Sequence, residues 1–157
     1  MQGIMPFLWF DTEAEEAAEF YTSVFDDARI LDVRRYGEAG PRPPGSVMTV
    51  TFEVRGLQLT ALNGGPDFRF NEAISLLVSC ATQDEVDELW AKLSDGGAEG
   101  QCGWVRDRYG LWWQVVPDTL GDMLQDADAE RAKRVMEAML KMRKIETAEL
   151  QRAYDGV

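Results

Sequence analysis

The chain has 157 residues, 45% of them hydrophobic and 28% charged, with a net charge of −12 and a pI near 4.4. That length suits one domain or two small halves sharing a core. The acidic balance argues against a nucleic-acid partner, which needs clustered Lys and Arg, and against an anionic membrane surface. No apolar run is long enough to cross a bilayer, and the start "MQGIMPFLWFD" lacks the basic segment and cleavage site of a signal peptide, so the expected location is cytoplasmic. There is no histidine, which removes triad chemistry and the commonest zinc ligand, and the two cysteines make no disulfide framework.

Residues 3–10, "GIMPFLWF", read as a buried strand with Pro6 near its edge. In "DTEAEEAAEFYTSVF", Thr12 and Glu15 have capping-box spacing, and Ala14, Ala17, Ala18, Tyr21 and Phe25 recur at helical spacing. Residues 28–37 predict a strand and Glu38 to Gly45 a Pro/Gly-rich loop. Residues 46–54 alternate strictly: Met48, Val50, Phe52 and Val54 share one face, and Val47, Thr49, Thr51 and Glu53 the other. A turn at Arg55-Gly56 makes a hairpin with "LQLTALN", where Gln58, Thr60 and Leu62 face away from Leu57, Leu59 and Ala61.

After a loop over residues 64–70, "EAISLLVSC" predicts a strand with Ile74, Leu76, Val78 and Cys80 on one face and Ala73, Ser75, Leu77 and Ser79 on the other. "TQDEVDELWAKLSDGG" predicts a helix with a second capping box, Thr82 and Glu85, a buried stripe of Val86, Leu89, Trp90 and Leu93, and a stop at Gly96-Gly97. "AEGQCGWVRD" and "LWWQVVP" then predict two or three short strands around the turn "RYG". From residue 118 the chain reads as helical throughout, with Val135, Met136, Met139 and Leu140 as one apolar stripe and Leu150 and Tyr154 as a shorter one. These helices must pack on the β body or on a second subunit.

Strand, T-x-x-E box and helix occur twice, 70 residues apart: Phe7, Leu8, Thr12, Glu15 and Phe20 match Leu77, Val78, Thr82, Glu85 and Trp90. The pattern predicts a duplicated β-α-β-β-β unit. Modules at 1–65 and 70–117 then form a domain over 1–117, with a helical extension at 118–157. The fold class is α+β.

The strand faces opposite the apolar ones hold Thr49, Thr51, Glu53, Gln58, Thr60, Ser75, Leu77, Ser79 and Gln114. Hydroxyls and amides in place of Lys and Arg suit a concave, partly dry cup for a small molecule; the plainer reading is that Thr favours any pleated surface. Trp9, Trp104 and Trp112 would wall such a cup, while Trp90 and Trp113 sit on helix-facing stripes and read as core. The segment "CGWVRDRYGLWWQVVP" poses the question sharply, since it sets a lone amide, Gln114, among apolar neighbours.

The blocks "PFLWFDTEAEEAAEFYTSVF", "ALNGGPDFRFNEAISLLVSC", "DEVDELWAKLSDGG" and "CGWVRDRYGLWWQVVP" resemble the PhnB-like branch of the glyoxalase/bleomycin-resistance group, the vicinal oxygen chelate superfamily. The tail "DAERAKRVMEAMLKMRKIETAELQRAY" is similar to the C-terminal extension of that branch. The resemblance implies paired βαβββ modules whose sheets curl around a cup, and a homodimer. It places the superfamily's four metal-ligand positions near Met5, Gln58 or Thr60, Ala73 or Ser75, and Gln114. Those residues offer a divalent ion neither imidazole nor carboxylate, so no metal and no cofactor is expected. Relatives often carry the label 3-demethylubiquinone 3-methyltransferase, but no glycine-rich turn follows a strand to hold a nucleotide-like cofactor.

Three readings follow. The first is a binding module for an unidentified small molecule, with no catalytic residue assigned. The second is a metal-independent enzyme acting on a small carbonyl or phenolic compound, with Glu53, Glu72, Asp107 and Tyr109 as the candidate acids and bases. The third is a dimeric interaction protein docking a partner on the stripe of Met136, Met139 and Met142.

Overall fold

In the computed structural model, which describes residues 2–157, the chain divides into two units, Met1–Phe70 and Asn71–Val157. The first contains β1 (Phe7–Phe10), α1 (Ala14–Val24), β2 (Ala28–Arg35), β3 (Val47–Val54) and β4 (Leu57–Asn63). Its open sheet runs β1-β4-β3-β2, with β1 parallel to β4 and the other neighbours antiparallel. The alternation expected in β3 holds: Val50, Phe52 and Val54 are buried under α1, whose Ala14, Ala17, Ala18 and Tyr21 are fully buried. Alanines at three of those positions let the helix backbone lie close to the sheet, and Tyr21 stacks on Phe52 with ring centroids 5.8 Å apart.

Two expectations fail in this unit. The strand predicted over 3–10 covers only Phe7–Phe10. Pro6 has no N–H to give a ladder, and the chain ahead of it follows β4 through the Gln2 side chain, which donates to the Gln58 carbonyl and accepts from the Gln58 amide. The capping box of Thr12 and Glu15 does not form. The Ala14 amide instead donates to the side-chain oxygen of Asn63, 49 residues away at the end of β4, at 2.8 Å. The same Asn63 side chain donates to the Val47 carbonyl at 3.1 Å. One amide thus ties the helix start to two strands. Asn63→Ala is expected to cost about 1–2 kcal/mol in urea unfolding; Thr12→Ala, which removes no cap, is expected to change stability by less than about 0.5 kcal/mol.

The second unit contains β5 (Leu76–Cys80), α2 (Gln83–Ser94), β6 (Ala98–Glu99), β7 (Trp104–Arg106), β8 (Trp112–Pro117) and the helices α3 (Leu120–Leu124), α4 (Ala129–Met139) and α5 (Thr147–Asp155). Its open sheet runs β5-β8-β7-β6, again with the first pair parallel, so the two sheets have the same topology. The expected duplication is therefore present in the strand order itself. Here the predicted cap is real: the Thr82 side chain accepts from the Glu85 amide, and the Glu85 carboxylate accepts from the Ala81 amide. Val86, Leu89, Trp90 and Leu93 are buried as expected. A side chain at Gly97 would meet the Arg106 carbonyl at 2.0 Å, so only glycine allows this close approach.

The strand predicted from residue 72 begins only at Leu76. Asn71 accepts a hydrogen bond from the Ala73 amide through its side chain, which turns the chain there and leaves Ile74 61% exposed rather than in the core. The tail is not one continuous helical run. Its helices are short and their buried residues differ from the predicted stripe: Leu120, Val135, Ile145 and Leu150 form a separate small core joined by Met139, Met142 and Tyr154, while Met136 and Leu140 are exposed. Val116 of β8 packs against this core, so the tail lies on its own unit's sheet.

Candidate functional site

The strand registers make equivalent rows on the faces turned away from the helices. In the first sheet Phe7, Thr60 and Thr51 lie side by side across β1, β4 and β3. In the second, Leu77, Gln114 and Trp104 lie side by side across β5, β8 and β7. Gln114 thus holds the place that Thr60 holds in the first sheet. Phe7 and Leu77, the edge residues of each row, are both 59% exposed.

The sequence-predicted residues fall on both sheets. In the first unit the Thr51 and Thr60 hydroxyls share a hydrogen bond at 2.9 Å, and Thr60 donates to the Met5 sulfur at 3.5 Å. Gln58 lies opposite Glu53 and donates to it at 3.5 Å, and Thr49 lies opposite Leu62. Trp9 donates its indole N–H to the Gly65 carbonyl at 2.9 Å, lies against Gly64, and meets the edge of Phe68 at 4.8 Å, so the loop after β4 covers its ring. In the second unit Gln114 donates to the Ser75 hydroxyl at 2.9 Å, and Trp104 and Trp112 meet edge-to-face at 6.4 Å.

Beside that tryptophan pair lies an apolar cleft of about 390 Å³, lined by Glu72, Gly100, Gln101, Cys102, Trp104 and Trp112. Cys102, one of the chain's two cysteines, belongs to this wall. The unit's other tryptophans are core: Trp90 donates to Glu99 and Trp113 to Asp107, and both are buried. The first unit has a larger groove of about 630 Å³ between the start of α1 and the loop before β3, edged by Asp11, Glu15, Glu16, Glu19 and Arg42. Arg42 there pairs with Asp11 at 3.3 Å.

The four candidate acids and bases do not converge. Asp107 is 1% exposed and its carboxylate accepts from Trp113 Nε1 and from the Tyr109 and Leu111 amides. It organises the turn before β8, a structural role that the Asp-x-x-Gly spacing of "DRYG" signals. Glu53 is half-buried and pairs with Arg29 at 3.5 Å. Glu72 is exposed on the rim of the cleft, and Tyr109 lies on the Asp107 turn.

The residues do not fit a divalent ion. The positions that the resemblance assigned to ligands hold the Met5 thioether, engaged by Thr60, and the Gln114 amide, engaged by Ser75. Neutral amides, a hydroxyl and a thioether supply no negative charge. No cluster of three or more His, Cys, Asp or Glu occurs among the described residues.

Two strand–helix–three-strand units of like sheet order define a glyoxalase/bleomycin-resistance fold. The PhnB protein of Bacillus cereus is 37% identical, covering 74% of this chain and 99% of that chain with a TM-score of 0.68. Protein PA1353 of Pseudomonas aeruginosa is 20% identical, covering 75% of this chain and 100% of that chain with a TM-score of 0.60. The fosfomycin resistance protein FosX of Listeria monocytogenes, solved with Mn(II) and sulfate, is 13% identical, covering 73% of this chain and 91% of that chain with a TM-score of 0.53. The last two establish the fold alone. No functionally curated protein matches the chain. Residues 2–116 match the family described as 3-demethylubiquinone-9 3-methyltransferase, and the chain belongs to that family. The match ends before α3.

Proposed function

We propose that this protein binds a small planar or amphipathic molecule on the second sheet, without a metal, and works as a homodimer. The observation that carries the binding reading is the cleft against Trp104 and Trp112, apolar and walled by two half-buried indoles that are not needed in the core. Gln114, beside Trp104 in the sheet, and Ser75, to whose hydroxyl Gln114 donates, are the polar partners for the ligand. Thr49, Thr51, Gln58, Thr60 and Trp9 form the corresponding face of the first sheet.

The homodimer is supported by the exposed Phe7 and Leu77 on the edge strands β1 and β5, the pair of positions that the duplication equates. Methyl transfer, named in the family's description, is not part of this reading. Neither turn from strand into helix, Asp11–Glu13 or Ala81–Thr82, contains the glycines that a nucleotide-like cofactor needs. No helix among the described residues is long and apolar enough to cross a membrane, and the cytoplasmic location expected from the sequence stays part of this proposal.

Titration with 1-naphthol, followed by tryptophan fluorescence and thermal shift, tests the binding reading. At about 100 times Kd the probe is expected to add about 2.7 kcal/mol of stability. Trp112→Ala is expected to weaken binding about tenfold, through loss of one aromatic wall. Equal affinity in wild type and variant, or no response to any of a panel of planar probes, overturns the proposal.

A further inference from the structure

We infer that residues 142–147, which run from the link after α4 into the first residue of α5, are a clasp that holds the Trp104 wall of the cleft in position, and that Gln83 is its latch. The cleft wall contains a strained turn. Cys102 has φ 56°, in the left-handed region that side-chain residues rarely occupy, and Gly103 follows at φ 83°. Such a turn persists only where its surroundings over-determine it.

The clasp supplies that constraint. The Cys102 amide donates to the Met142 carbonyl at 2.8 Å, and the Gly103 amide to the Arg143 carbonyl at 2.7 Å. Gly103 also accepts from the Val115 amide of β8 at 2.8 Å, so the turn is gripped from both sides. Ile145, fully buried, lies so close that a side chain on Gly103 would stand 3.1 Å from it. Trp104 follows directly, its amide donating to the Gln101 carbonyl.

Gln83, in the first turn of α2, fastens the clasp through both ends of its amide. Its nitrogen donates to the Ile145 carbonyl at 3.0 Å, and its oxygen accepts from the Thr147 amide and hydroxyl, each at 2.7 Å. These partners are 62 and 64 residues away. One turn further along α2, Lys144 pairs with Asp87 at 2.7 Å and holds that carboxyl below its ordinary range. The tail, absent from the family match, is thereby wired into the wall of the cleft. Its effect on ligand affinity rests on the binding reading above; the clasp itself does not.

Hydrogen exchange by mass spectrometry on the full chain tests it, with wild type beside Gln83→Leu, Gln83→Glu and Thr147→Ala. Glutamate fills the glutamine's volume but loses the donor to Ile145 and sets a carboxylate beside Asp87, to which the Gln83 nitrogen also donates at 2.9 Å. Leucine keeps a similar volume without the charge, so only loss of the hydrogen bonds to the clasp predicts faster exchange in both. The clasp predicts about tenfold faster exchange at Cys102 and Gly103 in both Gln83 variants, about threefold in Thr147→Ala, and none of these changes in the first unit. Faster exchange confined to 142–147, with Cys102 and Gly103 still protected, overturns the inference, as does wild-type protection in Gln83→Glu. With 1-naphthol as probe, weaker binding in the Gln83 variants extends the clasp to ligand affinity. Loss of protection without naphthol binding by the wild type upholds the clasp and removes only the binding reading.

Discussion

Asp107→Ala is expected to lower stability by about 3–4 kcal/mol, the largest effect of any single carboxylate in the chain. The side chain is almost wholly enclosed and accepts three hydrogen bonds, from Trp113 Nε1 at 2.9 Å, the Tyr109 amide at 2.8 Å and the Leu111 amide at 3.1 Å. Alanine leaves the indole and the Leu111 amide facing a space with no acceptor, and each buried orphan donor costs about 1–3 kcal/mol. The turn Asp107–Gly110 also loses the group that shapes it just before β8 begins. Asp107→Asn keeps one acceptor and is expected to cost about 2 kcal/mol, since its amide nitrogen must face one of the donors. Urea unfolding followed by circular dichroism measures both; a loss of less than about 1 kcal/mol for alanine would mean that water enters and replaces the carboxylate.

The second large effect is expected at Ile145, where alanine should cost about 3 kcal/mol and valine about 1 kcal/mol. Ile145 is fully buried among Leu120, Val135 and Leu150. This core belongs to the tail and is small, so it has few neighbours able to move into a void. The spread between the two substitutions is the test. If alanine and valine cost the same, the tail has detached in both and the side chain's volume is not what matters. Loss of Ile145 also loosens the clasp, so the alanine variant is expected to share the exchange phenotype of Gln83→Leu.

Much of the fold was legible because its signals are local. The stripe of α2, the buried face of α1 and the alternation of β3 are set by apolar residues at fixed spacing, and each emerged where expected. Three of the failures turn on polar side chains whose role the local pattern hides. Thr12 and Glu15 had the spacing of a cap, but Asn63 reaches the helix first. Ile74 continued an alternating pattern, but Asn71 had already turned the chain. Asp107 read as one of four candidate acids and bases; nothing in its sequence neighbours reveals that its carboxylate accepts from the Trp113 indole. The candidate site was legible as residue types, namely the tryptophan pair and Gln114, whereas the contribution of Cys102 to the cleft and the bracket made by Gln83 depend on chain segments brought together only by folding.

The two helices of the duplication begin in physically different ways, and this bears on what each start depends on. Starting a helix is the costly step, because several residues are fixed before hydrogen bonds compensate. For α2 the cap lies within the sequence Ala81–Glu85, so its first turn needs no other part of the chain. For α1 the cap sits on Asn63, which must be carried back across 49 residues by the β3–β4 hairpin. Closing that loop has an entropic cost that α2 never meets. Two copies of one architecture thus differ in what their helix starts depend on, a cap within five consecutive residues in the second and a distant strand end in the first.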